Sequence, residues 1–425
     1  MKTLIQKVIA RRIWDSRGRP TVEVDLILEN GVRGRGVAPA GASRGSREAV
    51  DLRDGGAALG GFGVERALAN VNGPISKCVI GLDAMDQQAV DSALIALDGT
   101  STKSELGGNA TIATSLAVLH AAAACAGLPL WRYLAGGRPV RLPLPEIQIF
   151  GGGAHAGRRV DIQDFLIMPI GAASFDEAMV MTAEVYRAAG ELMQSMGRRA
   201  GVADEGGWWP DFRSNEEALE MLTRSIDAAG YRHDQVAISL DIAASEFGRD
   251  GRYTLGLEQK TYDTGEWLKV LQGWVARYPI LSVEDPVAED DAEGMCAFTA
   301  AVGSRIQVVG DDFLVTNAQL VRDAIAQRSC NAVLLKPNQA GTVSETCAAM
   351  EVARASNWGR VVSARSGETE DVAIVHLAIG WDTGQLKVGS FARSERMAKW
   401  NECLRIEAEL GDDAIYAGRR SLPVT

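Results

Sequence analysis

The chain has 425 residues, 46% of them hydrophobic and 23% charged, which excludes a largely disordered protein because disorder requires low hydrophobicity. That length predicts two domains, three at most, with a core large enough to need no disulfide staples. A net charge of −11 excludes general nucleic-acid binding, which rests on a basic face neutralising phosphates, and leaves room for a small anionic substrate.

In chain order, the opening segment reads as antiparallel sheet. Val22, Val24, Leu26 and Leu28 alternate with polar residues, the period of a half-buried strand, and Asn30-Gly31 then signals a hairpin. Glycines punctuate residues 36–47 and predict a mobile loop. Residues 65–80, 83–98 and 109–126 predict helices, and glycines at 127, 136 and 137 place a domain boundary near 135–142. The expected division is an N-terminal α+β capping domain, 1–138, and a second domain, 139–425.

Beyond the boundary, short apolar runs at 165–170, 237–240, 280–283, 306–309, 332–335, 360–363 and 385–388 alternate with helix-like stretches. Strands alternating with helices predict a parallel sheet, and their number favours a (β/α) barrel. Asp241, Glu284, Asp311, Lys336 and Lys387 end or follow such runs, where barrel active sites collect. A single Asp there reads more simply as a helix cap, but lysine cannot accept a capping bond. Three carboxylates suit a hard divalent cation, with Mg²⁺ the default, and a lysine in a low-dielectric barrel mouth can serve as a general base.

The six cysteines show no CxxC spacing and predict reduced thiols in a cytoplasmic protein. The opening run MKTLIQKVIARR predicts no secretory signal. The alanine-rich stretch 117–130 is expected to be too short and too weakly apolar for a membrane span.

The ordered runs DSRGRPTVEV, GAS, HAG, DEGG, SLD, SVEDP, GDD, LLKPNQ, RSGETED and ARSER resemble those of enolases over essentially the whole length. The resemblance implies an enolase-type (β/α)8 barrel under an N-terminal cap, and a dehydratase acting on a small phosphorylated carboxylate. It implies Asp241, Glu284 and Asp311 as Mg²⁺ ligands, with Ser43 and the substrate completing a second Mg²⁺. It gives Lys336 the role of proton-abstracting base and Glu205 that of the acid assisting hydroxyl departure. Lys387 matches the lysine that holds the substrate carboxylate, Arg365 and Ser366 the phosphate-binding pair, and His155 and Gln163 residues lining the pocket. A homodimer or higher homo-oligomer is implied as well. His120, His233 and His376 match no site motif and are expected to be structural.

Two positions depart from the family pattern: Ala364 stands where histidine precedes the Arg-Ser pair, and Asp164 where a catalytic glutamate is usual. Arg44, Arg158, Arg159 and the pair Trp208-Trp209 also differ, and together predict a pocket that is roomier and more cationic at the phosphate end. The expectation is a specialised paralogue acting on a phosphate-modified analogue, similar in role to carboxyphosphonoenolpyruvate synthase of phosphonate and phosphinate biosynthesis. The alternatives are an ordinary 2-phosphoglycerate enolase and a non-catalytic binding protein.

Overall fold

The computed structural model describes residues 2–424. Strands β1 (Ile5–Trp14), β2 (Pro20–Leu28) and β3 (Arg33–Val37) form an antiparallel sheet in that order. Val22, Val24, Leu26 and Leu28 are buried, and Gly31 takes a φ of +85° in the turn into β3. Gly34 and Gly36 meet the helix Gly108–Cys125 so closely that an added Cβ would lie 2.0 Å from the Ala117 carbonyl oxygen and 2.2 Å from that of Ala113. Gly36 is therefore a sheet residue selected by this contact, and the loop expected from 36 begins only after Val37.

The helix Gly108–Cys125 corrects a second expectation. It is long and apolar enough to cross a membrane by length and composition, yet 83% of it is buried inside the protein. A helix apolar all round is what a core position selects, and this one packs on β2 and β3 and against the barrel. The helix expected over 65–80 is split into Glu65–Asn70, a π turn at Val71–Ile75 containing Pro74, and Ser76–Val79, because proline has no N–H to continue an α ladder. The helix expected from residue 83 starts at Gln87, where the Asp86 side chain accepts from the Ala89 N–H.

Eight strands close the barrel: β4 (Leu144–Gly151), β5 (Asp164–Met168), β6 (Ala237–Asp241), β10 (Ile280–Glu284), β11 (Gln307–Gly310), β12 (Ala332–Leu335), β13 (Gly359–Ser363) and β14 (Gly384–Ser390). The short strands β7 (Gly248–Arg249), β8 (Arg252–Leu255) and β9 (Lys260–Asp263) form a separate antiparallel sheet between β6 and β10. The barrel is not wholly parallel as expected: β5 runs antiparallel to both β4 and β6. A parallel return needs a crossover of a dozen or more residues, usually a helix. Between β4 and β5 the chain offers only a loop with one 3₁₀ turn, Gly153–Ala156, so it turns back beside β4. Asp164, which starts β5, pairs in register with Asp241, which ends β6, and so reaches the barrel mouth from a reversed strand.

The helices between strands take their caps from other residues. Ser174, Ser214, Asp263, Asp291, Asn317 and Thr342 accept first-turn N–H bonds, which leaves Asp241, Glu284 and Asp311 free to face the mouth. Below them the barrel interior is partly polar. Gln307 and Gln385 exchange hydrogen bonds at 2.9 and 2.8 Å, and Ser239 donates to Glu146 at 2.6 Å.

Candidate active site

A cavity at the barrel mouth is lined by Ser43, His155, Gln163, Asp164, Glu205, Asp241, Lys336, Arg365, Ser366 and Lys387. Glu284 and Asp311 are buried and bound to the two lysines that reach it. The Lys387 ammonium donates to Asp241 and Glu284, 2.7 Å each, and that of Lys336 donates to Asp311. Gln163 Nε2 donates to Asp241 at 3.1 Å, and Gln339 Nε2 to Asp311 at 2.8 Å.

Burial alone would lower the pKa of Lys387, but Asp241 and Glu284 outweigh it and hold the ammonium well above its ordinary range. Burial opposes the charge of Lys336 too, and Asp311 overcomes it, so the pKa is raised. A lysine in a low-dielectric barrel mouth is expected to lose its proton readily; the carboxylate beside Lys336 has the opposite effect. Glu284 is pushed well above the carboxylate range by burial first and by Asp241 second.

Three carboxylates thus face two ammonium groups, and Glu284 Oε1 is buried with no hydrogen-bond partner. Asp241 and Glu284 share one ammonium and Asp311 takes the other, so the three do not close into one tight group here, but their all-oxygen chemistry suits a hard divalent cation. Among the described residues, Asp311 shares a tight carboxylate group with Asp285 and Asp312. The Asp285 oxygens, however, accept the N–H groups of Asp311 and Asp312 at 2.9 and 2.7 Å, so this side chain positions Asp311. Burial first, then Asp311, pushes the Asp285 pKa up to about 8.

β12 and β5 lie four places apart in the eight-strand ring, so Lys336 and Asp164 stand on opposite walls. On the Asp164 wall, His155 Nδ1 lies 3.0 Å from Asp164 Oδ1, and its Nε2 lies 3.0 Å from Ser366 Oγ and 3.6 Å from Glu205 Oε1. Burial would lower the His155 pKa, but Glu205 and then Asp164 outweigh it and push it up to about 9. The imidazolium therefore donates from both nitrogens. Ser366 Oγ also accepts the Ala42 N–H at 3.2 Å, which leaves the Ser366 hydroxyl hydrogen for the cavity.

Arg365 is held from behind. Glu48 takes its guanidinium through two oxygens at 3.0 and 3.2 Å, and Asn338 and the Ser43 carbonyl accept at 3.0 and 3.1 Å. The backbone at Gly41 passes so near that a Cβ there would lie 2.0 Å from Arg365 Nη2. Glu48 directly follows the expected loop and carries no sequence signal of its own; its partner is 317 residues away. Gln148, which donates to Asp164, was missed together with the whole of β4.

Of the departures, Ala364 and Asp164 line the cavity. Asp164 Oδ2 stands 3.8 Å from Lys387 Nζ while Oδ1 serves Gln148 and His155. The arginines expected at the rim do not line this cavity, and each has an acidic partner. Arg44 pairs with Asp51 at 3.1 Å, Arg158 with Glu246 at 2.7 Å and Arg159 with Asp211 at 2.7 Å. Trp208 stacks on Tyr186, ring centroids 4.8 Å apart, and its indole N–H donates to the Tyr186 carbonyl; it packs against a helix rather than into the pocket.

Comparison with protein families matches residues 5–134 to the enolase N-terminal domain and residues 139–424 to the enolase C-terminal TIM barrel domain.

Proposed function

Because the chain belongs to the enolase family, we propose that it is a Mg²⁺-dependent hydro-lyase acting on a phosphorus-modified analogue of 2-phosphoglycerate. The barrel-mouth cavity is walled by Lys387, Arg365 and Ser366, an arrangement that suits a short acid carrying two anionic groups. The observation that carries the choice of an analogue is Ala364, which lines the cavity beside Arg365 and Ser366 with a methyl group instead of a ring. The accommodation is one of volume, since Arg44, Arg158 and Arg159 are already paired with acids of their own. A role in phosphonate or phosphinate biosynthesis follows from such a substrate. A homodimer or higher homo-oligomer belongs to the same reading.

Asp241, Glu284 and Asp311 would hold one Mg²⁺, and Ser43 with the substrate a second. Bound there, the metal would supply positive charge against an ene-diolate. Lys387 binds the substrate carboxylate, while Arg365 and the Ser366 hydroxyl bind the phosphorus oxyanion through charge-assisted hydrogen bonds. Gln163 lines the pocket beside Asp241. Neutral Lys336 takes the C2 proton, and the electron pair of that bond becomes the C2–C3 double bond as the C3 hydroxyl leaves. Glu205 gives that hydroxyl a proton, releasing water. His155 and Asp164 hold Glu205 and Ser366 in place on the wall opposite Lys336.

Turnover followed at the enol absorbance tests this, with 2-phosphoglycerate set against an analogue bearing a substituent on phosphorus. The analogue should show the higher kcat/KM. Ala364→His combined with Asp164→Glu should raise turnover of 2-phosphoglycerate and lower that of the analogue. A native rate on 2-phosphoglycerate in the ordinary enzyme range of ~10–10³ s⁻¹ would establish the housekeeping reaction instead.

A further inference from the structure

The last helix, Ser394–Leu410, sends two fully buried cations from its first turns toward the expected anion-binding pair. Arg396 donates through Nη1 to the carbonyls of Arg365 and Val388, at 2.7 and 2.9 Å, and through Nη2 to the carbonyl of Ser366. One turn on, Lys399 donates to the Thr369 carbonyl at 2.7 Å and pairs with Glu368 at 3.0 Å. Glu368 in turn accepts the Arg365 backbone N–H at 2.9 Å.

These bonds differ from ordinary ion pairing. A buried guanidinium normally sits against a carboxylate, but the three bonds of Arg396 all go to peptide oxygens. Its Nε makes no hydrogen bond, and Glu395 Oε1 stands 3.5 Å away. The planar fork spans the turn after β13 and the strand β14 at Val388, next to Lys387. It therefore fixes the spacing between the two places where the proposed substrate's anionic groups would bind, and it does so without touching the cavity itself. A lysine has the charge but no such fork, so it cannot reach both segments from two nitrogens at once.

We propose that Arg396 is the positioning residue for the anion grip: it sets the Arg365–Ser366 turn relative to Lys387 and places an incompletely neutralised positive charge behind it. This rests on the reading that Arg365 and Ser366 bind the phosphorus oxyanion, and the test separates the two. The probe is 2-phosphoglycerate, titrated calorimetrically in the presence of Mg²⁺ into the full chain and into Arg365→Ala, Arg396→Lys and Arg396→Ala. Mg²⁺ is also titrated alone into each.

Arg396→Lys should weaken probe binding about ten- to a hundredfold, as a displacement of ~1 Å in a positioned group does, and leave Mg²⁺ affinity unchanged. Added guanidinium should restore probe binding to Arg396→Ala, which a general packing role would not do. If Arg396→Ala does not accumulate as folded protein, Arg396→Lys, which keeps the charge and most of the volume, carries the test. Undiminished probe affinity in Arg396→Lys overturns the proposal, as does a parallel loss of Mg²⁺ affinity. Failure of the native chain to bind the probe, or equal binding by Arg365→Ala, overturns the anion-grip reading, and the positioning role falls with it.

Discussion

Lys387→Met tests the electrostatics of the site most directly. The ammonium lies 2.7 Å from Asp241 and from Glu284, so its removal strands two buried carboxylates beside each other. Breaking a buried ion pair by deleting one partner costs about 3–5 kcal/mol. Glu284 already favours the neutral form through burial, and it can relieve part of the strain by taking a proton, which points to the lower end of that range. Mg²⁺ changes the balance. In the native chain a metal ion must share the Asp241 and Glu284 oxygens with an ammonium, whereas in the variant it meets them unopposed. A ligand present at a hundred times its Kd stabilises by about 2.7 kcal/mol, so a tighter Kd makes the gain larger at any given concentration. Thermal melting in EDTA and across a Mg²⁺ titration reads this out. For a two-domain chain the midpoint, rather than an unfolding free energy, is the quantity to compare. The metal-free variant should melt lower than the native protein and gain more from Mg²⁺, while turnover is lost with the lysine proposed to bind the substrate carboxylate. Equal Mg²⁺-induced gains would show that Lys387 does not oppose the metal at these oxygens, and the assignment of Asp241 and Glu284 as ligands would have to be withdrawn.

Asp311→Asn should sharply reduce calorimetric Mg²⁺ binding, because it removes one of three charged oxygen donors; unchanged binding would strike Asp311 from the ligand set. Gly41→Ala puts a methyl 2.0 Å from Arg365 Nη2, and since Glu48 and Asn338 fix that guanidinium, binding of 2-phosphoglycerate should fall about ten- to a hundredfold; an unaffected Kd would mean Arg365 gives way freely. Burial holds the pKa values of His120 and His376 below their ordinary 6.5, against the pull of Asp371 and Glu402. Both are therefore neutral in the fold, and the stability this gives is present above pH ~6.5 and lost as pH falls through their depressed values. His120→Gln should accordingly show a shallower decline of melting temperature on acidification than the native chain, and parallel declines would place the acid sensitivity elsewhere.

What the sequence makes legible follows from what each signal encodes. A strand that ends in a charge reports a barrel mouth, and Asp241, Glu284, Asp311 and Lys336 could be placed there from that pattern alone. Direction is not encoded in an apolar run, so the reversal of β5 was invisible; it is decided by the missing crossover helix before it. Asp164 therefore needed the family motif, having no strand end to mark it. β4 escaped notice because Pro145, Glu146 and Gln148 interrupt its sequence, while all eight of its residues are buried and a barrel interior accepts polar groups when they bond to one another. Charge counting misled at the rim, since Arg44, Arg158 and Arg159 each have an acid beside them that composition cannot reveal. The same blindness to long-range partners hid Glu48 and Arg396. Both act on Arg365 from outside the cavity, one through its guanidinium and the other through its carbonyl. Arg365, the proposed anion-binding residue, is thus set by two groups that come from the first and last parts of the chain. Their pairing follows from closure of the barrel beneath the cap, and no local pattern in the sequence carries it.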